Sequence, residues 1–258
     1  MATEYGIKQA KPSLPSRDLI VVPHKKGDLV LAYPAFGANT YSNNIEEMQQ
    51  VYAHSTEIPT VQFRPATTAE HLSIVCPDVK THPELAEFAF EKYAQPKIFN
   101  PRWLQAGRIV RAQDGVYINP TGVVKPGEVD EAVLKQLRDH SDKVNGIWLG
   151  NNDFAFVPYE SFKQGVQDAR EFAEGGLARG LEHTEGNVAP KLQEMALTYK
   201  DGVNVICYKS DKPISRIACL NSDTSMGKCR LRVDCGGWYN SLQGYVFGVL
   251  EQQAEAIK

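Results

Sequence analysis

Twice in the middle of this chain the same punctuation occurs: an apolar run, a polar turn, and a second apolar run closed near a proline, followed by a helical pattern. The first case joins 108–112 to 116–119 through Gln113-Asp114-Gly115 and ends in Tyr117-Ile118-Asn119-Pro120. The second joins Ile147-Trp148-Leu149-Gly150 to Phe154-Ala155-Phe156-Val157-Pro158 through Asn151-Asn152-Asp153. An Asp-Gly turn between apolar runs is a strong short-range hairpin signal, because those residues tolerate the left-handed backbone that tight hairpin turns demand. The sequence therefore reads as hairpins interleaved with helices, an α+β fold, with possible tandem units at 108–139 and 147–183.

Other segments extend the pattern. Asp18–Val22 and Asp28–Tyr33 flank Pro23–Gly27 as a first hairpin, and residues 60–64 read as a further strand. Both this strand and Leu29–Pro34 are apolar runs that a proline stops, since proline cannot donate to the ladder. A helix is expected over 43–53, with Ser42 or Asn43 as N-cap and Ile45, Met48 and Tyr52 at helical spacing. Pro83 opens a second over 83–93, and a third is expected over 126–139 with Val129, Val133 and Leu137 inward. Residues 1–17, with Pro12 and Pro15 among serines, read as an irregular arm, and 18–200 as a hairpin and helix core. Short apolar runs at 203–208, 214–220, 228–235 and 244–250 predict a C-terminal antiparallel meander within 201–258, packed on that core.

Residues 161–183 are expected to form one glycine-rich helix. Four glycines there (Gly165, Gly175, Gly176, Gly180) weaken a helix by about 1 kcal/mol each relative to alanine, so something must offset them. Wound at about 100° per residue, the small residues fall in one stripe, which suits close packing by another element. The other use of such a stripe is room for a ligand, with Arg179 and His183 as polar anchors; a cation near a helix C-terminus also interacts favourably with the macrodipole without any chemistry.

Composition narrows the function classes. With 28 basic and 31 acidic side chains the net charge is −3, and no basic run exists, so no nucleic-acid partner is expected. The N-terminus lacks a signal-peptide pattern and no apolar stretch approaches a membrane span, so a cytoplasmic protein without membrane contact is expected. Five cysteines without CxxC spacing fit reduced thiols. Along 228–235, Cys229, Leu231, Val233 and Cys235 alternate with Lys228, Arg230, Arg232 and Asp234; the thiols are about 20 Å apart on an extended strand, too far to share one zinc. The cluster His71, Cys76 and His82 would have to fold back on itself to hold a metal, so no metal and no cofactor are expected. The basic face of Lys228, Arg230 and Arg232 reads as solvated, and Asp114 and Asn151–Asp153 as turn chemistry.

No catalytic motif is present. The reading is a binding or structural protein acting through a homo-oligomer or protein partner. The alternative is an enzyme acting on a small anionic metabolite, with Arg179 and His183 joined by Arg64 and His71 as ligand-binding groups. The alternative requires those four to converge on one concave pocket, whereas the first reading lets them scatter.

Overall fold

The computed structural model describes residues 18–54, 62–75, 103–120, 129–184, 190–223, 228–237, 240, 242 and 244–251. The expected helix at 83–93, with Cys76 and His82, lies outside them. The strands are β1 (Asp18–Val22), β2 (Leu29–Asn39), β3 (Gln62–Pro65), β4 (Trp103–Arg111), β5 (Gly115–Ile118), β6 (Asp142–Val144) and β7 (Ile147–Leu149). They continue as β8 (Ala155–Pro158), β9 (Gly165–Gln167), β10 (Val203–Ile206), β11 (Ile214–Asp223), β12 (Arg230–Gly237) and β13 (Gly244–Glu251). The helices are α1 (Tyr41–His54), α2 (Thr68–Val75), α3 (Glu131–Asp139), α4 (Ala169–Glu174), α5 (Gly176–Glu182) and α6 (Pro190–Leu197).

All the described strands join one mostly antiparallel sheet, so the class is α+β. Its main path runs β6-β7-β8-β5-β4-β11-β12-β10-β9, and β13 branches from β4 to pair with β2 and β3, with β1 beyond β2. The three expected hairpins form as read: β1 with β2, β4 with β5, and β7 with β8. The two central hairpins lie side by side, β5 pairing antiparallel with β8.

Strand alternation divides the core. On one face Leu72 and Ile74 of α2, Phe172 of α4, Leu177 and Leu181 of α5 and Leu192 of α6 pack over Ile109, Val157 and Leu220. On the other, α1 lays Met48 against Phe36, Ile217 and Val246, and α3 lays Leu134 against Val110, Tyr117 and Phe156.

Several expectations need correction. The C-terminal strands exist at the expected places, but they are not a meander: β10 pairs parallel with β12, and β13 pairs with β2, β3 and β4. Apolar alternation marks a strand without marking its neighbour, so the topology was not written in those runs. Leu29 begins a strand that passes Pro34 and ends at Asn39. The β1 ladder ends at Asp18↔Tyr33 and the β13 register is irregular here, so the missing proline N–H removes no ladder bond. Thr40 caps α1 in place of Ser42 or Asn43, its hydroxyl accepting from the Asn43 N–H at 3.1 Å. Asp130 caps α3, accepting from the N–H groups of Ala132 and Val133.

The single helix expected at 161–183 is broken into a 3-10 turn at Tyr159–Ser161, β9, α4 and α5. Gly165 has φ +78°, which an α-helix cannot use. Asp168 then takes an extended N-cap conformation, its carboxylate accepting from the Arg170 and Glu171 N–H groups at 2.8 Å each. Gly175 returns to an extended backbone between α4 and α5.

Small residues still serve close packing. A Cβ on Gly180 would stand 2.5 Å from Val157 Cγ2 and 3.0 Å from Ile118 Cδ1, so α5 rests directly on β8 and β5. Gly107, with φ +145°, sits at the bulge in the β4–β11 register, and a Cβ there would meet Thr68 Oγ1 at 2.6 Å. Gly180→Leu is expected to lower unfolding free energy by at least about 1–3 kcal/mol through overpacking, read in urea denaturation. A wild-type midpoint would mean that α5 is not pressed on the sheet.

Candidate functional site

The β1–β2 turn carries three basic residues in sequence, His24, Lys25 and Lys26, and through them it reaches Ser73 of α2, the end of α5 and Asp153. A cleft of about 390 Å³ opens beneath it, lined among others by His24, Lys26, Asp28, Arg64, Glu70 and Val249. Behind the cleft a chain of polar contacts begins at Arg64 in β3. Its Nη1 and Nη2 each donate to the Glu70 carboxylate at 2.7 Å.

Glu70 and Thr67 form a reciprocal cap at the start of α2. The Thr67 N–H donates to Glu70 Oε2 at 2.7 Å, and the Glu70 N–H donates to the Thr67 hydroxyl oxygen at 3.2 Å. The Thr67 hydroxyl donates in turn to Asp153 Oδ2 at 2.6 Å. Asp153 also accepts from Lys26 Nζ at 2.6 Å. It sits in the β7–β8 turn with φ +58° and is almost wholly buried. Burial alone would raise the Asp153 carboxyl, but hydrogen bonds from Lys26 and Thr67 and the Lys26 and Lys25 charges outweigh it and hold it below the usual range. Burial likewise opposes ionisation of Glu70, and Arg64 with the Thr67 N–H overcomes it.

The four residues singled out from sequence fare differently. Arg64 lines the cleft, its guanidinium on Glu70. His71 is fully buried: Nδ1–H donates to the Thr67 carbonyl at 2.9 Å and Nε2 accepts from the Phe247 N–H at 3.3 Å, which fixes the neutral Nδ1–H tautomer. Burial pulls its pKa down to about 4. His183 ends α5 in the left-handed region, φ +51°. Its Nε2 lies 2.8 Å from the Gly150 carbonyl and its Nδ1 lies 3.4 Å from Lys25 Nζ. Burial and the Lys25 charge lower its pKa against the pull of Asp153, so the ring is neutral at pH 7, donating from Nε2 and accepting at Nδ1. The 3.8 Å approach of Nδ1 to Asp153 is therefore a contact of a neutral ring and not an ion pair. The cation at this helix end is Lys25, whose ammonium donates to the carbonyls of Glu182 and His183.

Arg179 stands on the same side of α5, one turn earlier, and its Nη2 donates to the Asn145 carbonyl at 2.9 Å. Arg179 and His183 thus clasp the two ends of β7. Arg64 and His183 meet through Glu70, Thr67 and Asp153; His71 meets that chain at the Thr67 carbonyl alone, and the guanidinium of Arg179 points to Asn145.

Other candidates are also engaged. Arg232 Nη2 donates to Asp234 on its own strand at 2.7 Å, and Asp114 pairs with Arg138 of α3 at 2.7 Å. Cys207, Cys219 and Cys235 are buried thiols, Cys229 is half-buried, and among the described residues no three His, Cys, Asp or Glu side chains cluster as metal ligands.

Thr67 and Glu70 are not among the residues singled out from sequence, and Asp153 reads there as turn chemistry. Thr67-x-x-Glu70 is the capping-box spacing, directly before an apolar run, and it announces α2. Asn145-Gly146, with φ +48° and +84°, is the hairpin turn between β6 and β7, another readable signal. Nothing local in Asn151-Asn152-Asp153 says that its last carboxylate reaches Thr67 and Lys26, 86 and 127 residues away in sequence.

No protein-family model, curated protein or solved structure matches the chain. No helix among the described residues is long and apolar enough to cross a membrane.

The neutral histidines fix a pH dependence. The unfolded chain protonates His71 below about pH 6.5 and the fold resists until about pH 4, so stability falls as pH drops through that window, by up to about 3 kcal/mol at 1.4 kcal/mol per pH unit, with His183 acting in the same direction. Urea unfolding at pH 7 and pH 4.5 reads this, and His71→Phe is expected to be less stable at pH 7 but to lose most of the slope. An unchanged slope would place the titrating group elsewhere. Asp153→Asn, which keeps the left-handed backbone, is expected to cost about 1–3 kcal/mol at pH 7 in the same measurement.

Proposed function

We propose that this chain is a binding or structural protein that works through strand-to-strand contact at the β1 edge, with a second copy of itself as partner. The observation behind the proposal is how differently the open edges of the sheet are protected. Among the described residues β1, β3, β6 and β9 each pair on one side alone. The β6 edge carries exposed Asp142 and Lys143, and the β3 edge carries Arg64 and Pro65. The β9 edge has three residues and includes Gly165 at φ +78°. Charges, prolines and short or distorted strands are how native edges refuse partners.

Among the described residues, 19–22 of β1 carry no charge, proline or glycine. These four are Leu19, Ile20, Val21 and Val22, and Leu19 and Val21 are 51% and 48% exposed on one face. Two such edges brought together antiparallel about a two-fold axis form a continuous ladder and bury the same aliphatic pair from each copy. The alternative, an enzyme acting on a small anionic metabolite, asks more of Arg64, His71, Arg179 and His183. Convergence would be needed, and each of the four holds a partner in the fold.

Light scattering behind a sizing column, with native mass spectrometry, tests the proposal. Val21→Lys puts an ammonium group from each copy into the aliphatic contact and is expected to weaken the dimer at least roughly ten-fold, about 1.4 kcal/mol, while the thermal midpoint of the monomer stays put. Mixing Val21→Lys with Val21→Glu chains is expected to restore a pair. A wild-type chain that stays monomeric at its highest soluble concentration contradicts the proposal.

A further inference from the structure

Arg179 is a buried charge with too few partners. It is 6% exposed, and only Nη2 has an acceptor, the Asn145 carbonyl at 2.9 Å. Nε and Nη1 are sealed from solvent with no hydrogen-bond partner. Arg108, Arg111, Arg230 and Arg232 each leave Nε alone in that state, so Arg179 stands apart in lacking acceptors at two nitrogens. A guanidinium keeps its proton in a protein and so cannot escape burial by becoming neutral. No carboxylate among the described residues pairs with it, and desolvation is the sole influence on its pKa.

A buried charge of this kind is costly unless an opposite charge meets it. The guanidinium lies beneath the Asn145-Gly146 turn, whose two residues are exposed, and a Cβ on Gly146 would find no heavy atom within 4 Å. The turn is exposed, and the guanidinium is sealed behind it. We propose that a small oxyanion, a phosphate or the carboxylate of a small molecule, binds Arg179 between α5 and the β6–β7 turn and supplies the acceptors that Nε and Nη1 lack. This site is separate from the β1 edge and does not depend on self-association.

The test is thermal unfolding of the full chain in inorganic phosphate, in acetate, and in sodium chloride at equal ionic strength. Wild type is expected to show a saturable rise in midpoint in phosphate, in acetate or in both. At a hundred-fold excess over Kd, this corresponds to about a hundred-fold shift of the unfolding equilibrium. Phosphate alone identifies a phosphate site and acetate alone a carboxylate site. Arg179→Met is expected to abolish the saturable part. No saturable rise with either anion, or an equal rise in Arg179→Met, overturns the proposal. Should Arg179→Met fail to fold, the wild-type arginine Nε–H resonances decide, assigned with Arg179→Lys: one of them must shift and saturate with the anion, and unmoved resonances overturn the site.

Discussion

The carboxylate of Asp153 holds together parts of the chain that the sheet alone would leave apart. It accepts hydrogen bonds from the Thr67 hydroxyl just before α2 and from the Lys26 ammonium in the β1–β2 turn, and it sits beside His183, the C-cap of α5. A buried carboxylate is tolerable only when its lone pairs are met, so Lys26 and Thr67 are fixed once Asp153 is in place. The order then passes outward. Thr67 is half of the cap on α2, Glu70 is the other half, and Glu70 holds Arg64 at the mouth of the cleft. His71, next along α2, reaches the backbone of β13 and ties the helix to the strand that branches from the main sheet.

Seen from this knot, the polar residues near the cleft are a scaffold. Each of the suggestive groups spends its hydrogen-bonding capacity on backbone or on a neighbour: Arg64 on Glu70, His71 on Thr67 and Phe247, His183 on Gly150 and Lys25. Lys25 occupies the helix-end carbonyls that a histidinium would otherwise favour, and burial together with the Lys25 charge holds the His183 pKa down. Among the described residues two further places stand out, the exposed aliphatic pair of the β1 edge and the guanidinium of Arg179. These two places motivate the functional proposals, one apolar and one ionic.

Local chemistry made much of the secondary structure readable. Asp114-Gly115 and the Pro23–Gly27 connection announce hairpins because their backbone needs are local, and the alternation along 228–235 places Leu231, Val233 and Cys235 inward as found. The glycine-rich segment misled because helical winding assumes an unbroken helix, while Asp168 and Gly175 end and restart it. Topology was the least readable level. The branch of β13 to β2, β3 and β4 runs through register shifts against β2, and no single segment records all three partners. For the same reason Arg64 and His183 were visible as candidates, but Asp153, which joins them, looked like ordinary turn chemistry.

The claim that these polar residues are structural ties is tested most directly by histidine ring nitrogen NMR on the uniformly labelled chain, followed from pH 7.5 to pH 5. The account predicts two neutral rings at pH 7.5 with opposite tautomers, Nδ1–H in His71 and Nε2–H in His183, and a His71 ring that stays neutral down to pH 5. A His183 ring that titrates near pH 6.5, or a His71 ring in the Nε2–H form, would contradict it.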